Sequence, residues 1–102
     1  MQPLAAVRLR NQLRALRPDL EISLRDVRVN RVLFGCSGFV TDPKTGRIVY
    51  VNTDHNHGTR FNNAYYRIAE STKDYTGGPN HFSTYADLPE KVIRMLEGKS
   101  PV

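Results

Sequence analysis

Asp54-His55-Asn56-His57 is the stretch of this chain whose residue types come nearest to a metal site. Two imidazoles at i and i+2 beside a carboxylate offer the nitrogen and charged-oxygen donors that a divalent ion takes. His81, in a later loop, is a third imidazole. Such donors need a rigid platform, and the end of the apolar strand that precedes Asp54 would be one. The competing reading is a polar turn in which His and Asn cap backbone groups, because two-residue histidine spacing is common by chance.

Other reactive side chains have weaker contexts. Cys36 is the single cysteine, so an internal disulfide is excluded, and its place in the apolar run Val32–Val40 makes it a buried, inert thiol. Absence of disulfides suits the cytosol. Ser37 lies in Gly-Cys-Ser-Gly, which lacks the spacing and the strand-to-helix turn of a hydrolase nucleophile. Gly77-Gly78 has no Lys-Ser/Thr after it and is no phosphate loop. No organic cofactor is implied.

The Asp54–His57 stretch resembles the metal-binding hairpin of HNH and endonuclease VII-like nucleases. That resemblance implies a metal ligand and general base from Asp54 and His55, completed by Asn80 or His81. It also implies a helix over residues 63–72, and the zinc-binding cysteine pairs of the endonuclease VII type are missing.

Charge points elsewhere. The net charge is +5, and residues 1–31 carry seven arginines and no lysine against Asp19, Glu21 and Asp26. A basic N-terminal third suits a polyanion or an acidic protein surface, and arginine suits bidentate contact with phosphate or carboxylate. Arg10, Arg14 and Arg17 repeat along the edge of a helical stripe, where they either face a partner or sit in water over a packed helix. Five tyrosines, at positions 50, 65, 66, 75 and 85, are either base-stacking rings or amphipathic residues at the edge of the core. Asp74-Tyr-Thr-Gly-Gly-Pro-Asn-His81 fits no regular element, and a shaped loop presenting Tyr75, Asn80 and His81 is a natural recognition surface.

The elements that would hold these groups follow from periodicity. Pro3 suits the first position of a helix over 3–17, with Leu9, Leu13, Leu16 and Leu20 as its apolar stripe and Pro18 as its end. Residues 20–24 alternate as a strand, and the phase slips near Arg25–Asp26, which implies a bulge or two short strands. Val32–Val40 is a second strand. Thr41-Asp42-Pro43-Lys44-Thr45-Gly46 is a hairpin turn. Residues 47–53 return as a strand apolar on both faces, hence central. Residues 64–69 read as an edge strand in preference to a helix. A loop over 71–85 leads to a capping box at Asp87–Glu90. The last helix buries Leu88, Val92, Met95 and Leu96 and stops at Gly98.

The expected fold is therefore α+β: a helix, a three- to four-stranded mostly antiparallel sheet and a second helix, in two layers with both helices on one face. Residues 1–98 form one domain and 99–102 a frayed tail. The order matches double-stranded RNA-binding domains in topology only, since the last helix opens Asp87-Leu88-Pro89-Glu90 where those place lysines. Tyr66-Arg67-Ile68-Ala69, the 74–80 loop and Asp87-Leu88-Pro89 resemble small uncharacterised actinobacteriophage proteins over residues 64–96, about a third of the chain. That resemblance implies a phage accessory protein in the host cytoplasm.

The reading that results is a small basic, non-catalytic binding module. It would meet an acidic host protein or nucleic acid through Arg10, Arg14, Arg17, Tyr75, Asn80 and His81. No membrane is involved, and a sheet edge is available for pairing with a second copy. The alternative is a metal-dependent nuclease using Asp54, His55, His57 and His81.

Overall fold

The computed structural model describes residues 3–54, 63–75 and 79–99. Two helices, α1 (Ala6–Leu16) and α2 (Leu88–Leu96), flank five strands in sequence: β1 (Glu21–Val29), β2 (Val32–Thr41), β3 (Ile48–Asn52), β4 (Asn63–Ala69) and β5 (His81–Thr84). The strands form one antiparallel meander in the order β1-β2-β3-β4-β5. The expected α+β class holds, with one strand more than expected. β3 sits in the middle, as its two apolar faces require.

Both helices pack on one face. Leu9 and Leu13 of α1 and Leu88, Val92, Met95 and Leu96 of α2 join Cys36, Val40, Val49, Val51, Ala64 and Tyr66 in a single core. Each fully buried side chain of this size is worth about 1.5–3 kcal/mol, so this layer carries the fold.

Helix α1 starts later than the sequence suggests. Pro3 and Leu4 lie ahead of the helix, because Ala5 is still extended and the chain there is held by other groups. The Thr53 hydroxyl donates to the Leu4 carbonyl at 3.0 Å, and Asp26 on β1 accepts the Ala6 amide at 2.8 Å. A distant carboxylate thus serves as the cap that Ala5 cannot provide. Leu16 is 50% exposed and drops out of the expected stripe, whereas Leu4 is buried.

Three further expectations are corrected. The slip in β1 falls between Val27 and Arg28, two residues later than expected, where Phe34 is the extra residue on β2. Residues 71–85 are not wholly loop: they contain β5, so β4 is not an edge strand. Asp87 makes no side-chain cap to α2 and has helical backbone angles. Its amide is taken by the Thr84 hydroxyl, which also donates to its carboxylate. Gly98, with φ +79°, does end the last helix as expected.

The hairpin between β2 and β3 turns as its sequence demands. Asp42 accepts the Lys44 amide at 2.9 Å, and Gly46 has φ +76°. Arg17, just past α1, reaches this turn. Its guanidinium meets Asp19 at 2.8 Å, buried Asp42 at 3.0 Å and Glu97 at 3.2 Å. The Arg17 contact holds the Asp19 carboxyl down at about 2, below its ordinary 3.8. Burial opposes ionisation of Asp42, but the Lys44 amide and Arg17 outweigh it and hold its carboxyl low as well. Groups depressed in this way stabilise the fold fully above their unfolded value and lose that contribution as pH falls through the folded one. Wild-type Tm is therefore expected to fall between about pH 4 and pH 2. Arg17→Ala should lower Tm at pH 7 and flatten that acid limb; thermal melts across the range check both.

Candidate nucleic-acid interface

The register of the meander decides which side chains share the face away from the helices. Ser23, Phe39, Tyr50 and Arg67 are cross-strand partners in one row. Arg25, Ser37, Asn52, Tyr65 and Phe82 are partners in the next, a row that crosses all five strands. Side chains alternate along each strand, so these two rows lie on the side opposite Val40, Val51 and Tyr66. No helix covers them among the described residues.

Aromatic rings tile this face. Phe39 and Tyr50 are 5.3 Å apart between centroids, Tyr50 and Tyr65 6.1 Å, and Tyr65 and Phe82 6.3 Å. Tyr75 folds over from the segment after β4. Its ring meets Phe39 edge-on at 5.2 Å and Tyr50 at 5.9 Å. Phe39 and Tyr50 are thereby buried, while Tyr75 is 58% and Phe82 66% exposed. Phe82 packs against Tyr65 on one side and leaves most of its surface open for a further ring to stack on.

Buried polar groups hold the rings in place. Asn52 donates to the hydroxyls of Tyr50 at 3.1 Å and Tyr65 at 2.9 Å, and accepts the Asp54 amide at 2.7 Å. Burial, with the neighbouring Tyr50, pushes the Tyr65 hydroxyl up to about 12, so the ring stays neutral. Arg67 lies 4.8 Å over the Tyr50 ring, donates to the Asp74 carbonyl at 2.7 Å and pairs with the Asp74 carboxylate at 3.5 Å. Asp74 also accepts the Glu70 amide. Arg67 is therefore a positioning residue: it fixes the segment that delivers Tyr75.

Two hollows open on either side of the Tyr75 ring. One, about 320 Å³, is lined by Ser23, Arg25, Ser37 and Phe39; the other, about 280 Å³, by Val27, Asn52, Asp54 and Tyr65. Arg25 and two serines make the first hollow polar and able to take an anion, whereas the second is walled by tyrosines with Asn52 and the Asp54 carboxylate at its edge.

The residues singled out from sequence do not all meet here. Tyr75 is on the uncovered face. His81 pairs with Tyr66 and packs against that ring at 5.6 Å, on the helix side, and Asn80 is exposed. Arg10 and Arg14 lie on α1, on the far side of the sheet; Arg10 Nε is buried without a hydrogen-bond partner, Arg14 is exposed, and Arg17 is engaged by three carboxylates. Asp54 is buried at the end of β3, while His55 and His57 lie outside the described residues. Among the described residues no cluster of three metal-ligating side chains occurs. Residues 63–69, where the nuclease resemblance requires helix, are strand β4. Cys36 is buried, and burial pushes its thiol up to about 11, so it is no nucleophile at neutral pH.

Arg25, Asn52 and Phe82 were not visible as a group in the sequence. Tyr50 and Tyr65 are two of the five tyrosines that composition offers as stacking rings, but only the register puts them side by side.

No protein-family model, curated protein or solved structure matches this chain. No helix among the described residues is long and apolar enough to cross a membrane.

Proposed function

We propose that this chain is a small, non-catalytic module that binds single-stranded nucleic acid on the uncovered face of its sheet. The observation that carries the reading is the row Arg25–Ser37–Asn52–Tyr65–Phe82, ending in a ring that is 66% exposed. Bases stack on aromatic side chains regardless of sequence, and an unpaired strand can splay its bases onto a flat sheet. The net charge of +5 supplies the attraction for phosphate, and Arg25 stands at the opposite end of the row. The Asn52 amide is saturated by the two tyrosines and the Asp54 amide, which favours a rigid platform over a base-reading contact. The partial resemblance to actinobacteriophage proteins supports an accessory role in the host cytoplasm, on nucleic acid exposed there.

The test is fluorescence anisotropy with a labelled oligothymidylate of about 12 nucleotides, titrated across a salt series. Arg25 lies on this face and Arg31 at the turn between β1 and β2, and each phosphate neutralised on a single strand contributes about −0.7 to the slope of log K against log salt, so a slope of about −1.4 is expected. Binding no tighter than that of an acidic protein of similar size, or a flat salt dependence, would rule the reading out.

A further inference from the structure

β1 and β2 outrun the rest of the sheet. They pair from Glu21–Thr41 to Val29–Val32, but β3 accompanies β2 only over Ser37–Thr41. Thr53 and Asp54 still flank Cys36 and Gly35, so the hairpin stands as a two-stranded arm only beyond Val27 and Gly35, reaching about 7 Å further at the rise of an antiparallel strand. An isolated two-stranded ribbon is marginal in water and buries little. Its tip is nonetheless apolar and basic: Val29 is 44% and Val32 56% exposed, and Arg28 and Arg31 are exposed beside them. Val29 lies two residues from Val27, a wall of the hollow under Tyr75, so the Val29–Val32 pair prolongs the uncovered face.

The turn at the tip is Asn30-Arg31, with φ +50° and +68°. Tight hairpin turns of this kind favour Asn followed by Gly, because both positions lie in the left-handed region. Asn30 fits. Arg31 does not: a long side chain is held where its own Cβ crowds the backbone. Arg31 makes no ion pair among the described residues that would account for it. Arg28 donates to its carbonyl at 3.5 Å and pairs with Asp26 at 3.6 Å, contacts that need no side chain at position 31. A strained residue at an exposed tip is one whose side chain serves something other than the fold.

We infer that the β1–β2 arm is a second contact for the bound strand, with Arg31 at its tip engaging a backbone phosphate and Val29 and Val32 lying against the adjoining sugar or base. This rests on the reading of the uncovered face as a nucleic-acid surface. The arm extends that face past the last aromatic ring, and Arg31 carries the charge a phosphate needs.

Arg31→Gly separates the two roles of the residue, because it relieves the turn and removes the charge together. In the full-length chain Tm should rise by about 4 °C, as expected when a modest strain is lifted from a domain of this size. Affinity for the labelled oligothymidylate should fall about three- to tenfold, with the salt slope reduced by about 0.7. Arg31→Asn, which tolerates the left-handed turn without charge, should weaken binding to the same extent. If Arg31→Gly gains stability but keeps wild-type affinity and slope while Phe82→Ala weakens binding, the arm is no contact and the face reading stands alone. If Arg31→Gly weakens binding and Arg31→Asn does not, the charge is irrelevant and the inference is overturned. If neither Phe82→Ala nor Arg31→Gly alters binding, the surface itself is misassigned and the arm falls with it.

Discussion

Phe82→Ala should weaken binding to single-stranded oligonucleotides by about 5- to 150-fold while leaving Tm nearly unchanged, since one stacked base is worth about 1–3 kcal/mol. The asymmetry follows from exposure. The Phe82 ring is 66% open to solvent and contacts Tyr65 at its edge, so removing it opens no core cavity. Tyr75→Ala should weaken binding by a similar factor but also lower Tm, because the Tyr75 ring covers Phe39 and Tyr50, which are only 3% and 7% exposed beneath it. Tyr75→Phe keeps the cover and the stacking surface and should behave as wild type. Anisotropy titrations paired with thermal melts distinguish the three. A Phe82→Ala protein that binds as tightly as wild type is incompatible with a stacking platform.

The second large effect concerns the fold beneath that platform. Gly38→Ala is expected to leave the chain largely unfolded at 37 °C. Gly38 sits in β2 with φ +151°, and a Cβ added there would meet the Ser23 carbonyl oxygen of β1 at 2.0 Å and the Leu24 Cα at 2.9 Å. Backbone on a paired strand cannot move aside as a flexible side chain does. Overpacking costs about 1–3 kcal/mol and a backbone conformation reserved for glycine costs about as much again. Together these rival the stability of a small domain, about 5 kcal/mol at the low end of the usual range. Gly46→Ala is the control, because that turn has open space around it and carries only the cost of its positive φ. Far-ultraviolet circular dichroism melts should place the Gly46 variant a few degrees below wild type and the Gly38 variant far lower. Similar melts for both would show that β1 and β2 do not approach so closely.

How far the chain could be read in advance depended on whether local signals and burial agreed. In α2 they agree: Leu88, Val92, Met95 and Leu96 repeat on one stripe and all are buried. In the β2–β3 hairpin the turn residues Asp42 and Gly46 announced the geometry they adopt. β5 was missed because its pattern is inverted, with Phe82 outward and Ser83 buried, so hydrophobicity along the chain gives no hint of a strand. The stacking row was invisible for a related reason. It is a property of register across five strands, and a shift of one residue in any strand would send its member to the other face. The role of Arg17 was also hidden. On the helix edge it looks like a free cation, but its partners Asp42 and Glu97 lie 25 and 80 residues away. The arm could not be foreseen either, because its projection depends on β3 being shorter than β2.

The central claim is that single-stranded nucleic acid lies on the face made by Arg25, Ser37, Asn52, Tyr65 and Phe82. Amide correlation spectra recorded while an oligothymidylate of about 12 nucleotides is added test it most directly, because they report location as well as binding. Progressive shifts are expected at those five residues and at Tyr75, with Val92 and Leu96 of the helix layer unchanged. Shifts concentrated on Arg10 and Arg14 of α1, or none anywhere at saturating oligonucleotide, would contradict it.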